Sequence, residues 1–305
     1  MRSVDISRDD NSSMELFVHS PLVIEPDAIR LIRLNGLQHG HISCTVHNAT
    51  LENSSYVALS YVWGAEAPSF KILLNGKIVW IRPNLWQFLH WALGSLTGTE
   101  IWIDALCITQ DDIPEKNRQI PLMGQVFAQA SRVIGFLHGG YEASHLHGHL
   151  DVNLLAVPRL IDAILGRKGD DFLHTDVVSQ ALRRLLTHEH WSRLWIVQEL
   201  ELSSEAELVW QSFNIPWRRL KAFVKGVVAE GAGDRDSRAT IDVTRHQINT
   251  LPFSDFLRFD QQDSSSGRRP SLFELAVQYS NHSCLVLHDH VFALLALSKD
   301  VKNSC

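Results

Sequence analysis

Closely spaced cysteines, long apolar runs and an excess of positive charge are all missing from this 305-residue sequence. Its four cysteines form no CxxC pair, which argues against a disulfide framework or a zinc cage and favours a reducing compartment. No run approaches the roughly 18 apolar residues of a membrane span, and residues 1–13 lack the apolar core of a signal peptide. With 28 basic and 34 acidic side chains, no general attraction to nucleic acid or an anionic membrane is implied. We expect a cytoplasmic protein without a membrane span or a nucleic-acid partner.

Two common kinds of site find little support in the sequence. Neither G-x-G-x-x-G nor G-x-x-x-x-G-K-[S/T] occurs, which disfavours a Rossmann dehydrogenase or a P-loop nucleotidase. His145, His147 and His149 alternate in a loop-like segment. They would meet a metal only if the segment were extended and a further ligand came from elsewhere. We therefore favour a solvated loop there, and expect no metal and no bound cofactor.

The stretch from 100 to 137 predicts one unit of a parallel α/β fold. The apolar run Ile101–Ile103 ends in a carboxylate, Asp104, as a buried strand does when it delivers one acidic group to its end. A helical segment follows, and Val133–Leu137 is a second strand-like run. Tyr56–Tyr61 is β-branched and aromatic, and it predicts a further strand of the same sheet.

The flanking patterns complete the expected architecture. Asn75-Gly76 lies between two strand-like runs at 70–81, which favours a type I′ hairpin turn. The fold class we predict is a three-layer, flavodoxin-like α/β fold with a mostly parallel sheet flanked by helices, a β-hairpin insertion and a C-terminal helical extension. We divide the chain into a poorly ordered segment at 1–28, an α/β domain at 29–230, and the extension at 231–305, packed on the same domain.

The segment Trp191–Leu200, WSRLWIVQEL, has an unusual spacing. On one continuous helix, Trp191, Trp195 and Glu199 would be successive i, i+4 neighbours, so two indole rings and a carboxylate would share a ridge. Such rings could stack on a nucleotide base, but aromatic residues at helical spacing are more often core.

Three blocks together resemble the fungal heterokaryon-incompatibility (HET) domain family. They are YVALSYVWG at 56–64, IWIDALCITQDD at 101–112, and WSRLWIVQEL at 191–200. The resemblance extends over about residues 29–297. It implies a role in non-self recognition and programmed cell death in filamentous fungi, with the domain as the toxic effector.

HET domains also look distantly similar to TIR domains, which implies a TIR-like fold. In TIR enzymes a glutamate of a WCxxEL-like helix acts in cleaving the nicotinamide–ribose bond of NAD. Here Trp195 to Glu199 has the same spacing, Leu200 follows, and Leu59-Ser60-Tyr61 resembles the strand-end block. The resemblance therefore implies Glu199 as a catalytic carboxylate and NAD as substrate.

Each acidic candidate has a structural alternative. Glu199 could stabilise an oxocarbenium-like transition state, or it could cap or salt-bridge a helix end beside Arg193. Asp104 lies where parallel sheets present ligand groups, or it accepts backbone amides in the following loop. Asp111 or Asp112 is expected to cap the next helix.

The remaining candidates would contact the nucleotide. Ser60 and Tyr61 could line a cleft, while Trp63 and Trp195 could stack on nicotinamide or adenine. Arg193 could bind a phosphate or pair with a nearby acid. Cys107 could be a nucleophile assisted by His188 or His190, but a thiol in an apolar context is usually inert packing.

Three functional hypotheses follow. The first is an assembly-dependent cell-death effector that cleaves NAD or a related nucleotide and associates with itself and with other signalling proteins. The second is a non-catalytic homotypic interaction module, in which the three blocks only support the fold and a contact surface. The third is a divergent enzyme of small-molecule metabolism built on the same fold.

Overall fold

The computed structural model describes most of the chain. The described residues are 15–23, 25–137, 153–167, 176–211, 213–230, 247–259, 269–284 and 288–300. The predicted histidine loop with His145, His147 and His149 therefore lies outside the described residues, as do residues 1–14 of the predicted N-terminal segment.

Strands and helices alternate through much of the described chain. The strands are β1 Ala28–Gln38, β2 His41–Thr50, β3 Val57–Tyr61, β4 Phe70–Leu74, β5 Lys77–Ile81, β6 Glu100–Trp102, β7 Arg132–Leu137, β8 Ala206–Trp210 and β9 Phe213–Pro216. The helices are α1 Pro83–Ala92, α2 Asp104–Cys107, α3 Ile113–Gln129, α4 Asn153–Ile164, α5 Asp176–Leu186, α6 Ile196–Glu201, α7 Trp217–Glu230, α8 Phe253–Arg258, α9 Leu272–Gln278 and α10 Asp289–Leu295.

All nine strands form one mixed sheet in the order β5-β4-β2-β1-β6-β3-β7-β8-β9. The predicted parallel strands are its centre, because β3 pairs in parallel with both β6 and β7, and β7 pairs in parallel with β8. Antiparallel pairs join β1 to β2 and to β6, and β8 to β9. The α/β class is confirmed, and the carboxyl ends of β6, β3, β7 and β8 share one edge of the sheet.

The predicted hairpin is confirmed at 70–81. Asn75 has φ 51° and Gly76 has φ 75°, as both central residues of a type I′ turn require. The hairpin extends the sheet, since β4 also pairs in parallel with β2. The Asn75 side chain secures this junction: it accepts from the Val46 amide at 2.9 Å and donates to the Val46 carbonyl at 3.1 Å.

A buried ion pair joins β1 to the start of α3. Arg30 donates to Glu115 at 2.5 and 2.9 Å, and also to the Cys107 carbonyl at 3.0 Å. The Thr109 amide donates to Glu115 at 2.7 Å. Burial opposes ionisation of Glu115, but the bonds from Arg30 and Thr109 outweigh it and lower its pKa to about 2.

The start of α3 is marked by a capping carboxylate. Of the two predicted capping residues, Asp111 and Asp112, it is Asp112 whose carboxylate accepts from the Glu115 amide, at 3.0 Å. From there α3 crosses over between β6 and β7 and packs on α6, which also contacts α10. None of the helices in the described part of the chain is both long and apolar enough to cross a lipid bilayer.

Candidate functional site

The site lies where β3 and β6 end. Strand β3 finishes with Ser60 and Tyr61 and runs into the loop 62–64, while β6 is followed by Asp104 at the start of α2. Helix α6 packs against β3 and β7 and brings Glu199 to the same place. Parallel pairing thus gathers residues that are up to 139 positions apart in sequence.

Glu199 and Ser60 form the buried part of the site. The Glu199 side chain belongs to a residue only 3% exposed, and its Oε2 accepts a very short hydrogen bond from the Ser60 hydroxyl. Ser60 is itself 1% exposed. Burial is the main reason that the pKa of Glu199 rises from 4.5 to about 7; the Asp104 charge adds to the rise, and Arg193 and Ser60 oppose it. Glu199 is therefore a carboxyl that titrates near neutral pH.

His190 lies on the other side of the Ser60 hydroxyl, with Nε2 3.3 Å from Oγ. A hydroxyl has one proton to donate, so when Ser60 donates it to Glu199, Nε2 of His190 must be the N–H donor to Oγ. Gly135, the partner of Ser60 on β7, lies beside this ring; a Cβ there would make an ordinary contact with Nε2 at 3.7 Å but would crowd Cδ2 of Leu208 at 2.6 Å. The protonation of Glu199 and the tautomer of His190 are thereby coupled.

Asp104 is a partly exposed member of the same site. Its Oδ2 accepts from the Trp63 indole at 2.9 Å, and its Oδ1 accepts from the Ala105 amide at 2.7 Å. Burial raises its pKa, while Arg193 and these two hydrogen bonds oppose the rise. Asp104 thus accepts one backbone amide, from the next residue of α2 and not from the following loop, and the same carboxylate also fixes the Trp63 ring.

Arg193 supplies a positive charge to the site. Its guanidinium donates to the Tyr61 carbonyl at the end of β3, and its charge acts on both Asp104 and Glu199. The Tyr61 side chain is buried, which is the main reason that its pKa lies well above 10. A positive charge thus stands beside two acids at the strand ends.

Arg82 also belongs to this site, although no pattern in the sequence indicates it. It donates to the Gly64 carbonyl at 2.5 Å, and its guanidinium carbon lies 5.9 Å from the centre of the Trp63 ring. Arg82 precedes α1, and its position next to Trp63 depends on the path of the intervening hairpin. No local pattern around either residue signals that contact.

Gly64 is required where it stands, and Gly64→Ala is expected to lower the free energy of unfolding by about 1–2 kcal/mol. Its φ is +78°, and a Cβ would lie 2.9 Å from Nδ2 of Asn84, whose amide donates to the Val62 carbonyl at 2.9 Å. Urea denaturation measures the loss. Gly98→Ala is the matched control, since φ there is +82° with open space around a Cβ; an equal loss in both variants would mean that the crowding at Asn84 adds nothing.

The predicted ridge of Trp191, Trp195 and Glu199 on one helix is wrong. Residues Glu189–Ser192 form a 3₁₀ turn, Arg193 is extended, and α6 begins only at Ile196. Trp191 is fully buried: it stacks on Trp217 at 5.7 Å and donates to the Leu185 carbonyl at 2.6 Å. It is a core residue and does not reach a ligand.

The residues selected from the sequence fall into those that lie at the strand ends and those that do not. Six of the seven residues selected from the sequence come together at the strand ends: Ser60, Tyr61, Trp63, Asp104, Arg193 and Glu199. Trp195 instead donates its indole N–H to Asp289 of α10 at 3.2 Å. Burial raises the pKa of Cys107 to about 12, so this thiol stays protonated. Within the described ranges, no three His, Cys, Asp or Glu side chains are grouped to hold a metal ion.

Comparison with known proteins finds a family match for part of this chain. A family model described as "Heterokaryon incompatibility protein (HET)" matches residues 56–199, a range that includes both Ser60 and Glu199. The chain is 28% identical over 167 residues to "Heterokaryon incompatibility protein 6, OR allele" of Neurospora crassa, with 48% of this chain and 21% of that protein covered. The chain thus spans about a fifth of that relative's length. No solved structure matches.

The three sequence blocks and the family match cover the same strand ends and the same α6 segment. The residues that build the site are therefore residues of the matched domain, from the end of β3 to Glu199. Residues 56–199 of the chain thus match the heterokaryon incompatibility (HET) family.

Proposed function

We propose that this chain is a HET-type effector of non-self recognition and cell death that, when assembled, cleaves the nicotinamide–ribose bond of NAD or a related nucleotide. The observation that carries the proposal is the buried Glu199 carboxyl, held by Ser60 and with its pKa raised to about 7, at the carboxyl edge of the parallel strands. A desolvated carboxyl beside a second acid and an arginine is typical of a catalytic site.

The chemistry requires little beyond these groups. The bond between ribose C1′ and the nicotinamide nitrogen breaks, its electron pair leaves with nicotinamide, and C1′ develops oxocarbenium character. The Glu199 carboxylate, fixed by the Ser60 hydroxyl, stabilises that positive charge in a site of low dielectric. Water then adds to C1′ and loses a proton, giving ADP-ribose.

Two further observations support this assignment. The W-x-x-x-E-L spacing that resembles TIR enzymes is retained, with Glu199 at its centre. The relative from Neurospora crassa carries heterokaryon incompatibility in its name, which supports the biological setting. Self-association follows the same proposal, because an effector of this kind must stay silent until it is assembled.

The test is nicotinamide release from NAD by concentrated or artificially oligomerised protein, followed by chromatography. Wild type is expected to release nicotinamide and Glu199→Gln is not. Glu205→Gln, the same chemical change at an exposed residue after α6, is expected to act like wild type. If wild type and Glu199→Gln are both folded and equally silent, cleavage is refuted and a non-catalytic homotypic module becomes the better account.

A further inference from the structure

Two arginines hold the loop that follows β3 from either end. Arg193 donates to the carbonyl of Tyr61 and Arg82 donates to the carbonyl of Gly64, three residues later. Both side chains are partly exposed, and both charges act on the Tyr61 hydroxyl. The loop between them carries Trp63, whose ring edge is fixed by Asp104 at 2.9 Å.

The two arginines differ in how their charges are balanced. The charge of Arg193 acts on both Asp104 and Glu199 and opposes the rise of their pKa values. Across the ranges that the structure describes, no carboxylate lies within ion-pair distance of Arg82. The first turn of α1, which begins immediately after Arg82, contains no acidic residue. Among the described residues, Arg82 is therefore a partly exposed cation beside Trp63 with no carboxylate in ion-pair distance.

The guanidinium of Arg82 is also held in place. One N–H is used by the Gly64 carbonyl, and the Trp63 ring 5.9 Å away favours the cation through its π face. A guanidinium has five N–H donors in a rigid fork, so several remain for an incoming group. A fixed fork without a counterion matches the geometry and charge of phosphate oxygens.

We propose that Arg82 binds a phosphate of the substrate, so that the Glu199 site takes a nucleotide diphosphate and discriminates against the corresponding nucleoside. This inference takes from the proposed function only the identity of the bond that is cleaved. Arg193 holds the Tyr61 end of the loop and its charge acts on Glu199, whereas Arg82 holds the Gly64 end beside Trp63. In this arrangement the ribose of the substrate lies at Glu199 and its diphosphate lies toward Trp63. The negative charge of the diphosphate is then neutralised by Arg82, which has no carboxylate of the protein beside it.

Calorimetric titration with ADP-ribose and with adenosine tests this, since neither ligand contains the bond to be cleaved. Wild type is expected to bind ADP-ribose more tightly than adenosine. Arg82→Ala is expected to weaken ADP-ribose binding by about tenfold or more and to leave adenosine binding unchanged. Arg82→Lys should recover only part of the loss, because an ammonium lacks the bidentate fork.

Arg118→Ala, at an exposed position of α3, is the matched control and should bind ADP-ribose like wild type. Urea denaturation shows that each variant is folded, with Arg82→Lys retaining the charge if Arg82→Ala unfolds. The inference is overturned if folded wild type does not bind ADP-ribose, or if neither folded Arg82 variant binds it more weakly than Arg118→Ala.

The outcomes also separate this inference from NAD cleavage. Binding of ADP-ribose that depends on Arg82, without any nicotinamide release, would retain the phosphate site and remove the proposed reaction. Nicotinamide release with ADP-ribose binding unchanged by Arg82→Ala would retain the reaction and remove the phosphate site.

Discussion

Glu199→Gln is expected to lower nicotinamide release by about two to three orders of magnitude and, in the same protein, to make the fold more stable above neutral pH. The two effects have one cause. The Glu199 carboxylate that stabilises the developing charge on ribose is also a buried negative charge, on a residue that is only 3% exposed. Glutamine retains the size and an acceptor for the Ser60 hydroxyl, but it has no charge to offer or to bury.

The direction of the stability change follows from the pKa of Glu199, which is about 7 in the folded protein against 4.5 for the ordinary side chain. Between these values the folded state keeps a proton that the unfolded state has lost, so stability falls as the pH rises through this window. Above about pH 7 the cost is complete, and it amounts to at most about 3 kcal/mol. Gln cannot ionise, so the variant escapes that cost.

Denaturant unfolding at pH 5 and pH 8 measures the effect. Wild type and Glu199→Gln should differ little at pH 5, and the variant should be the more stable at pH 8. Glu205→Gln, at an exposed position, should show no such divergence. A Glu199→Gln protein that is less stable than wild type at both pH values would contradict the claim that the buried Glu199 charge destabilises the fold above neutral pH.

Where local chemistry decides the conformation, the sequence predicted the structure. The centre of the sheet follows from continuous apolar runs, because strands buried on both faces show no polar alternation. All residues of β3 are buried, as its sequence VALSY indicates. Asn75-Gly76 and Asp112 act through their own backbone neighbours, so the hairpin and the start of α3 were predictable.

The error at Trp191 has a specific physical reason. The periodicity from Trp191 to Glu199 suits one helix, but the segment forms backbone bonds with a distant residue instead. The Leu194 amide donates to the Ser283 carbonyl at 3.0 Å, and the Ser283 amide donates to the Ser192 carbonyl at 2.7 Å. Tertiary pairing thus replaces the helix at Arg193, and the same extended backbone lets its side chain reach Tyr61.

Part of the site was predictable from the order of strands and helices along the chain. Ser60, Asp104 and Glu199 follow strands or lie on α6, so their approach could be expected from parallel pairing. His190 and Arg82 could not be placed, because the contact of His190 with Ser60 depends on the 3₁₀ turn and that of Arg82 with Trp63 depends on the hairpin. Both contacts join residues that are distant in sequence, so no spacing in the sequence predicts them.

Arg30→Met is expected to lower the free energy of unfolding by about 3–5 kcal/mol. Met nearly fills the volume, but it leaves Glu115 ionised and 2% exposed without its cation. The Cys107 carbonyl also loses its donor at 3.0 Å. Because the pKa of Glu115 is lowered to about 2, the stability that its carboxylate contributes is present above pH 4.5 and is lost as the pH falls toward 2.

Urea denaturation near neutral pH measures the loss, and two variants on the same elements interpret it. Arg33→Met, three residues along β1, breaks a 2.7 Å pair with Glu100 in which the arginine is 53% exposed, so its cost should stay below about 1 kcal/mol. Adding Glu115→Gln to Arg30→Met removes the unpaired charge but keeps an acceptor for the Thr109 amide, and should recover most of the stability. Equal losses for Arg30→Met and Arg33→Met would contradict the conclusion that burial makes the Arg30–Glu115 pair costly to break. Water can solvate an exposed carboxylate that has lost its arginine, but it cannot reach the buried Glu115.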